Sequence, residues 1–358
     1  MSAWDYAKPP GGGAQSMNYK SIADLNKDVK KWLEKLPKDF DIIVGIPRSG
    51  LLVANLLALY LNVPMTDLDG LIAGRILSGG KRLKKRVSFD EIQKVLVVDD
   101  SVYGGTSMTE AKEKIKSAKL PFDVKYGAVY VTASGTKYVD YWYEILDPPR
   151  IFEWNVLHHS ILQNSCVDID GVLCRDPTPE ENDDGEKYRK FIQTVEPNFI
   201  PTVEIGWIVS SRLEKYRKET EQWLKKHGIK YKELVLLDLP DSETRARLRA
   251  HAKHKAEVYR KTGADLFIES SRNEALEIAR LSGKPVLCYT TGELITPVTA
   301  RILARERYLI KKFLRKLKED PYATIKRIPK YAKIELEEFL IKLQILISGS
   351  VQKNRNQK

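Results

Sequence analysis

Residues 95–107 read Val-Leu-Val-Val-Asp-Asp-Ser-Val-Tyr-Gly-Gly-Thr-Ser and constrain the fold of this chain more than any other stretch. Val95, Leu96, Val97 and Val98 form an unbroken apolar run of the kind buried on both faces of a parallel sheet. Two carboxylates, Asp99 and Asp100, follow at once, then a small hydroxyl-rich turn from Ser101 to Ser107, then a helical pattern from Met108. A strand that runs through acids into a Gly/Thr/Ser turn at a helix N-terminus is built to receive a phosphate. The turn's N–H groups and the helix dipole attract the anion, and glycines let the backbone approach it closely. The acid pair suits the hydroxyls of a sugar, with a hard divalent cation nearby.

Position by position, this stretch resembles the 5-phosphoribosyl-diphosphate (PRPP) signature of type I phosphoribosyltransferases. The resemblance implies that Asp99 and Asp100 hold the ribose 2- and 3-hydroxyls. It implies that Ser101, Tyr103, Gly104, Gly105, Thr106 and Ser107 cradle the 5-phosphate. Upstream, residues 41–45 read as a short strand, and Gly-Ile-Pro-Arg-Ser-Gly at 45–50 opens an apolar helix running to Leu61. Arg48 and Ser49 at that helix start suit an anion, since guanidinium binds phosphate bidentately. The segment looks like the pyrophosphate loop of the same family. Residues 71–86 carry six basic side chains, among them Arg75, Lys81 and Arg82, as a basic loop that would close over a diphosphate. Residues 21–36 have helical spacing with Ser21 as N-cap, residues 126–132 and 141–146 read as further strands, and Arg-Ile-Phe-Glu-Trp-Asn at 150–155 closes the domain.

A second phosphate chemistry follows. Ser165-Cys-Val-Asp-Ile-Asp-Gly is an apolar strand ending in Asp168 and Asp170, whose alternation places both carboxylates on one side. Such a pair can bind Mg²⁺, attack phosphorus and handle a proton. It resembles the first motif of haloacid-dehalogenase-like phosphatases. That resemblance implies Asp168 as nucleophile, Asp170 as general acid/base, Ser210 on the phosphoryl oxygens, Lys255 as the third motif, and Glu269 completing a metal set with Asp168 and Asp170. Many relatives carry a second acid after the fourth-motif acid, where this chain has Ser270 and Ser271. The gaps at 174–201 and 213–252 leave no room for a large cap domain. His251 and His254 read as surface residues of a charged helix.

The charge is uneven. Of the chain's net +12, residues 301–358 hold +10, from 16 basic and 6 acidic residues. Residues 300–317 and 335–347 have the spacing of amphipathic helices. They fit attachment to an anionic membrane surface or packing within the protein, and no nucleic-acid-binding motif is present. No apolar run reaches the ~20 residues that span a bilayer. The first residues lack a signal-peptide core, and Cys166, Cys174 and Cys288 suggest no disulfide framework, so a cytoplasmic chain is expected.

The expected architecture is α/β: a mobile segment 1–16, a phosphoribosyltransferase-like domain 17–162, a haloacid-dehalogenase-like domain 163–296, both doubly wound and mostly parallel, and a basic helical tail 297–358. This order resembles the dual-domain ribofuranosyltransferases of bacterial surface polysaccharide assembly. The resemblance implies PRPP and Mg²⁺, a lipid-linked glycan acceptor and a peripheral position at the inner membrane face, with a homo-oligomer left open. Two rivals stand beside it. One is a nucleobase phosphoribosyltransferase fused to a nucleotidase. The other is a PRPP-binding regulator without turnover.

Overall fold

A computed structural model describes residues 17–77, 83 and 88–319. The expected segment 1–16, the basic residues Lys81 and Arg82 and the helix at 335–347 lie outside them. The described chain divides into two compact units, meeting between Ile295 and Thr296.

The first unit holds two parallel sheets and a short ribbon. In chain order its first part runs β1 (Asn18–Lys20), α1 (Ile22–Leu33), β2 (Ile42–Gly45), α2 (Gly50–Leu61), β3 (Met65–Asp67), α3 (Leu68–Ile72), β4 (Lys94–Val102), α4 (Thr106–Ala118), β5 (Asp123–Val131), β6 (Tyr141–Ile145) and β7 (Arg150–Phe152). The second part runs β8 (Ser165–Val167), α5 (Glu186–Thr194), β9 (Ile205–Leu213), α6 (Arg217–Lys226), β10 (Tyr231–Leu237), α7 (Ser242–Leu248), α8 (Ala250–Lys261), β11 (Leu266–Glu269), α9 (Arg272–Ser282), β12 (Val286–Cys288) and β13 (Glu293–Ile295).

The first sheet has strand order β3-β2-β4-β5-β6, all parallel. Side chains alternate across it as a pleat requires. Ile43, Leu96, Val98 and Val129 pack with Leu25, Val29, Trp32, Val53 and Leu57 of α1 and α2. Ile42, Val44, Val95, Val97 and Ala128 face the other way, onto Leu71, Met108, Ala111 and Ile115. The continuous apolar run at 95–98 is thus explained by helices on both faces. From β2 the chain goes outward to β3, then crosses to β4 on the other side. The β2/β4 boundary is therefore a topological switch point, where open α/β sheets form their ligand crevice.

One boundary differs from the sequence reading. β4 does not end at the acids but continues through Asp99, Asp100 and Ser101 to Val102, because Asp99, Ser101 and Val102 stay in register with Ala128, Tyr130 and Val131 of β5. The turn shrinks to Tyr103, Gly104 and Gly105, and α4 begins at Thr106, two residues early.

The second sheet has order β10-β9-β8-β11-β12-β13, parallel except for the β12–β13 hairpin. Its switch point lies between β8 and β11. Between β8 and β9 the only described helix is α5, nine residues long. The ribbon pairs β1 with β7 in parallel, Asn18 against Arg150. The second unit contains α10 (Pro297–Glu319), in which Val298, Ile302 and Leu309 are 63, 53 and 49% exposed among exposed arginines and lysines. No described helix is long and apolar enough to cross a membrane.

Candidate active sites

The first crevice gathers three loops. The loop after β2 is fastened to β4 by Ile46 N–H donating to Val98 O at 2.9 Å. It carries exposed Arg48, whose peptide bond with Pro47 is cis, and Ser49. Ser49 stands at the N-cap of α2 but makes no capping bond. Its hydroxyl donates instead to Asp100 Oδ1 at 2.8 Å. The turn after β4 is held by Thr132, whose hydroxyl donates to Tyr103 O at 2.9 Å. Gly105 adopts φ +78°, and a Cβ there would lie 2.4 Å from the Tyr138 ring, so both conformation and space demand glycine. Tyr103, Gly104, Thr106 and Ser107 are exposed at the start of the thirteen-residue α4, whose first N–H groups have no side-chain cap. That is a free helix N-terminus of the kind that takes an anion.

The third loop is the segment after β7. Trp154 donates its indole N–H to Asp100 Oδ2 at 2.7 Å. Asp99 and Asp100 are 8 and 4% exposed. Burial, and then the neighbouring Asp100 carboxylate, push the Asp99 carboxyl up to about 9. Arg48, Ser49, Asp99, Asp100, Ser101 and the 103–107 loop are therefore assembled at one switch point. Arg75 is turned to Asp67, Nη2 to Oδ2 at 3.1 Å. Glu153, a tempting base for a transfer step, has another task. Its Oε2 accepts the Ile22 N–H at the start of α1 at 2.7 Å.

The second crevice is more deeply buried. Lys255 on α8 donates to Asp168 Oδ2 and Glu269 Oε2, each at 2.7 Å, and to Glu274 Oε2 at 3.0 Å. Asp168, Lys255 and Glu269 are 4, 3 and 1% exposed. Burial draws the Lys255 ammonium down, but three carboxylates outweigh it and hold it well above its usual value. Burial pushes Asp168 well above the carboxylate range, with Lys255 opposing. One ammonium facing three carboxyl groups cannot offset them all, and Asp168 is the one whose burial favours its protonated form.

Asp170 is held differently. The fully buried Arg212 meets it with Nε at 3.0 Å and Nη2 at 2.6 Å, a bidentate fork. Burial alone would raise the Asp170 carboxyl; Arg212 outweighs it and holds it below the usual range. Among the described residues no group of three His, Cys, Asp or Glu side chains is placed to hold an ion, and Asp170 is paired with Arg212. The Ser210 hydroxyl accepts from Arg212 N–H at 3.3 Å, while the Ser211 hydroxyl, in a residue 8% exposed, has no partner. His251 and His254 are half-buried rather than on the surface, and His251 Nδ1 lies 3.9 Å from Glu274.

Three residues escaped the sequence reading. Trp154 was expected to close the domain, not to bind Asp100; a half-buried indole still offers one N–H to a partner, and the tryptophan in the run at 150–155 was the available signal. Arg212 follows the expected Ser210 motif directly, yet nothing local says that it reaches Asp170. Glu274, five residues past Glu269, gave no signal.

Residues 17–161 match the family model described as phosphoribosyl transferase domain, so this part of the chain is a phosphoribosyltransferase domain. Solved structures with likeness to the chain include the xanthine-guanine-hypoxanthine phosphoribosyltransferase of Helicobacter pylori, at 16% identity and TM-score 0.32, covering 39% of this chain and 95% of that one. The purine phosphoribosyltransferase of Pyrococcus horikoshii Ot3 has 20% identity and TM-score 0.29, covering 39% and 94%. The orotate phosphoribosyltransferase of Aeropyrum pernix has 23% identity and TM-score 0.23, covering 32% and 62%. No curated protein matches the chain.

Proposed function

We propose that this chain is a ribofuranosyltransferase acting in two steps. A 5-phosphoribosyl group passes from PRPP to a glycan hydroxyl on a lipid-linked surface polysaccharide. The 5-phosphate is then removed by a haloacid-dehalogenase-like phosphatase site. The observation that carries the reading is the buried Asp168–Lys255–Glu269 cluster at a second switch point, in the same compact unit as the phosphoribosyltransferase domain.

In the first step Arg48 and the N-terminus of α4 hold the donor's phosphates, and Asp99 and Asp100 hold the ribose. The acceptor oxygen bonds to the anomeric carbon as the C–O bond to pyrophosphate breaks, and the hydroxyl proton leaves with the departing pyrophosphate. Attack from the opposite face turns an α donor into a β-ribofuranoside. The developing positive charge on the sugar is favoured by the negative charge that the acid pair shares. Mg²⁺ enters with the donor's diphosphate, as part of the substrate.

In the second step Asp168 gives up its proton and attacks phosphorus through a carboxylate oxygen; the P–O bond to the ribose 5-oxygen breaks and that oxygen takes up the proton. Water then releases phosphate from the aspartyl-phosphate. Asp170, held ionised by Arg212, is suited to take the proton of that water. Lys255 and the hydroxyls of Ser210 and Ser211 face the phosphoryl group. A divalent cation there would be held by Asp168 and Glu269 and would favour the ionised form of Asp168. The basic, partly apolar face of α10 suits an anionic membrane surface beside a lipid-linked acceptor.

The test uses Asp168→Asn protein with PRPP, Mg²⁺ and a panel of galactose- and mannose-containing glycans and nucleobases, read by product mass. The expected result is a glycan heavier by one ribose 5-phosphate, converted by the unmutated protein to one carrying plain ribose. Consumption of a nucleobase would move the protein to nucleotide chemistry. PRPP binding without any product would make it a regulator.

A further inference from the structure

Both oxygens of Asp100 are engaged by side chains from two different loops. Ser49, from the loop after β2, donates to Oδ1 at 2.8 Å. Trp154, from the segment after β7, donates to Oδ2 at 2.7 Å. An ionised carboxylate has about four lone-pair sites; these two bonds take one on each oxygen, and the neighbouring Asp99 carboxyl bonds to what remains, leaving a single outward direction for a ligand. With both oxygens pinned, the plane of the carboxylate is set, and so is that direction.

Trp154 is itself held against rotation. Its ring stacks on Phe152, centroids 4.9 Å apart and planes 14° apart, and Phe152 stacks on Tyr130 at 5.4 Å and 21°. Tyr130 is anchored at the far end, its hydroxyl donating to buried Asp28 at 2.9 Å. The column thus runs from the body of the first sheet to the rim of the crevice and ends in one N–H aimed at one carboxylate. Packing alone would need the ring but not the N–H.

We propose that Trp154 is a positioning residue for the donor site, fixing Asp100 in the orientation that receives the ribose hydroxyls of the phosphoribosyl donor. The inference rests on the reading of residues 95–107 as that donor's site. It adds a contact from a segment outside the signature, one that a phenylalanine in the same stack could not make.

The test compares the full-length protein with Trp154→Phe, which keeps the stack and loses the donor. A hydrogen bond to a charged group is worth roughly tenfold in affinity. Trp154→Phe should therefore raise the PRPP Kd by calorimetry, and its KM, about tenfold, with a much smaller change in kcat and an unchanged Tm. A second measurement needs no variant to fold. In protein ¹⁵N-labelled on its six tryptophans, one indole N–H resonance should shift on adding PRPP, and Trp154→Phe identifies it. If the unmutated protein binds PRPP but the variant binds it equally well, or if no indole resonance moves, the positioning role is wrong and the donor site stands. If the unmutated protein does not bind PRPP, both fall.

Discussion

At the scale of single residues, Asp99 sits in surroundings that strongly oppose its charge. It is 8% exposed beside a second carboxylate, and its carboxyl is pushed up to about 9. The folded chain therefore keeps a proton that the unfolded chain releases near pH 4. With more protons bound when folded, stability falls as pH rises from about 4 to about 9. Asp99→Asn removes that liability. Its Tm should exceed the parent's by about 2–6 °C at pH 8, with the difference vanishing towards pH 4, in paired thermal melts. The substitution should also weaken PRPP binding, because an amide accepts fewer hydrogen bonds than a carboxylate. A Tm difference independent of pH would mean that Asp99 is not the titrating group.

At the scale of elements, the strand–turn–helix units around both crevices were legible in the sequence, and their long-range fastenings were not. Ser21 caps α1 as expected, with Asp24 completing the box. Residues 42–45 and 50–61 form the expected strand and helix. β4 overran its expected end because the pairing partner for Ser101 and Val102 lies on β5, and local turn propensity carries no information about that partner. The Asp170–Arg212 fork is invisible for the same reason: it joins Arg212 of β9 to a residue 42 positions earlier, in the loop after β8. Its energetics belong to the elements it joins. Arg212→Met leaves Asp170 half-buried without its counter-charge and should cost about 2–4 kcal/mol in urea unfolding. Adding Asp170→Asn should recover a large part of that, because the unpaired charge goes with it. A double variant no more stable than the single one would show that Arg212 acts through packing on Trp223, over which its guanidinium lies at 6.0 Å.

At the scale of the whole molecule, the charge asymmetry makes a prediction about location. Arg301, Arg305, Lys311 and Lys312 are exposed along α10 with apolar residues between them. Each basic residue near an anionic surface contributes about 1 kcal/mol. Changing all four to glutamate should reduce co-sedimentation with phosphatidylglycerol vesicles at least a hundredfold, while turnover of a soluble glycan acceptor stays unchanged. Equal sedimentation of both proteins would remove the membrane from the proposal. The first unit has an asymmetry of another kind, in time. β1 finds its partner in β7, about 130 residues further along, and the Tyr19 hydroxyl donates to Gly292 O at the hairpin of the second sheet. At ~5–20 residues per second of synthesis, Asn18 has left the ribosome on the order of ten seconds before Arg150 exists to pair with it. Residues 17–20 are thus made long before they are seated, and the parallel ribbon acts as a clasp that closes only once residues 150–152 exist.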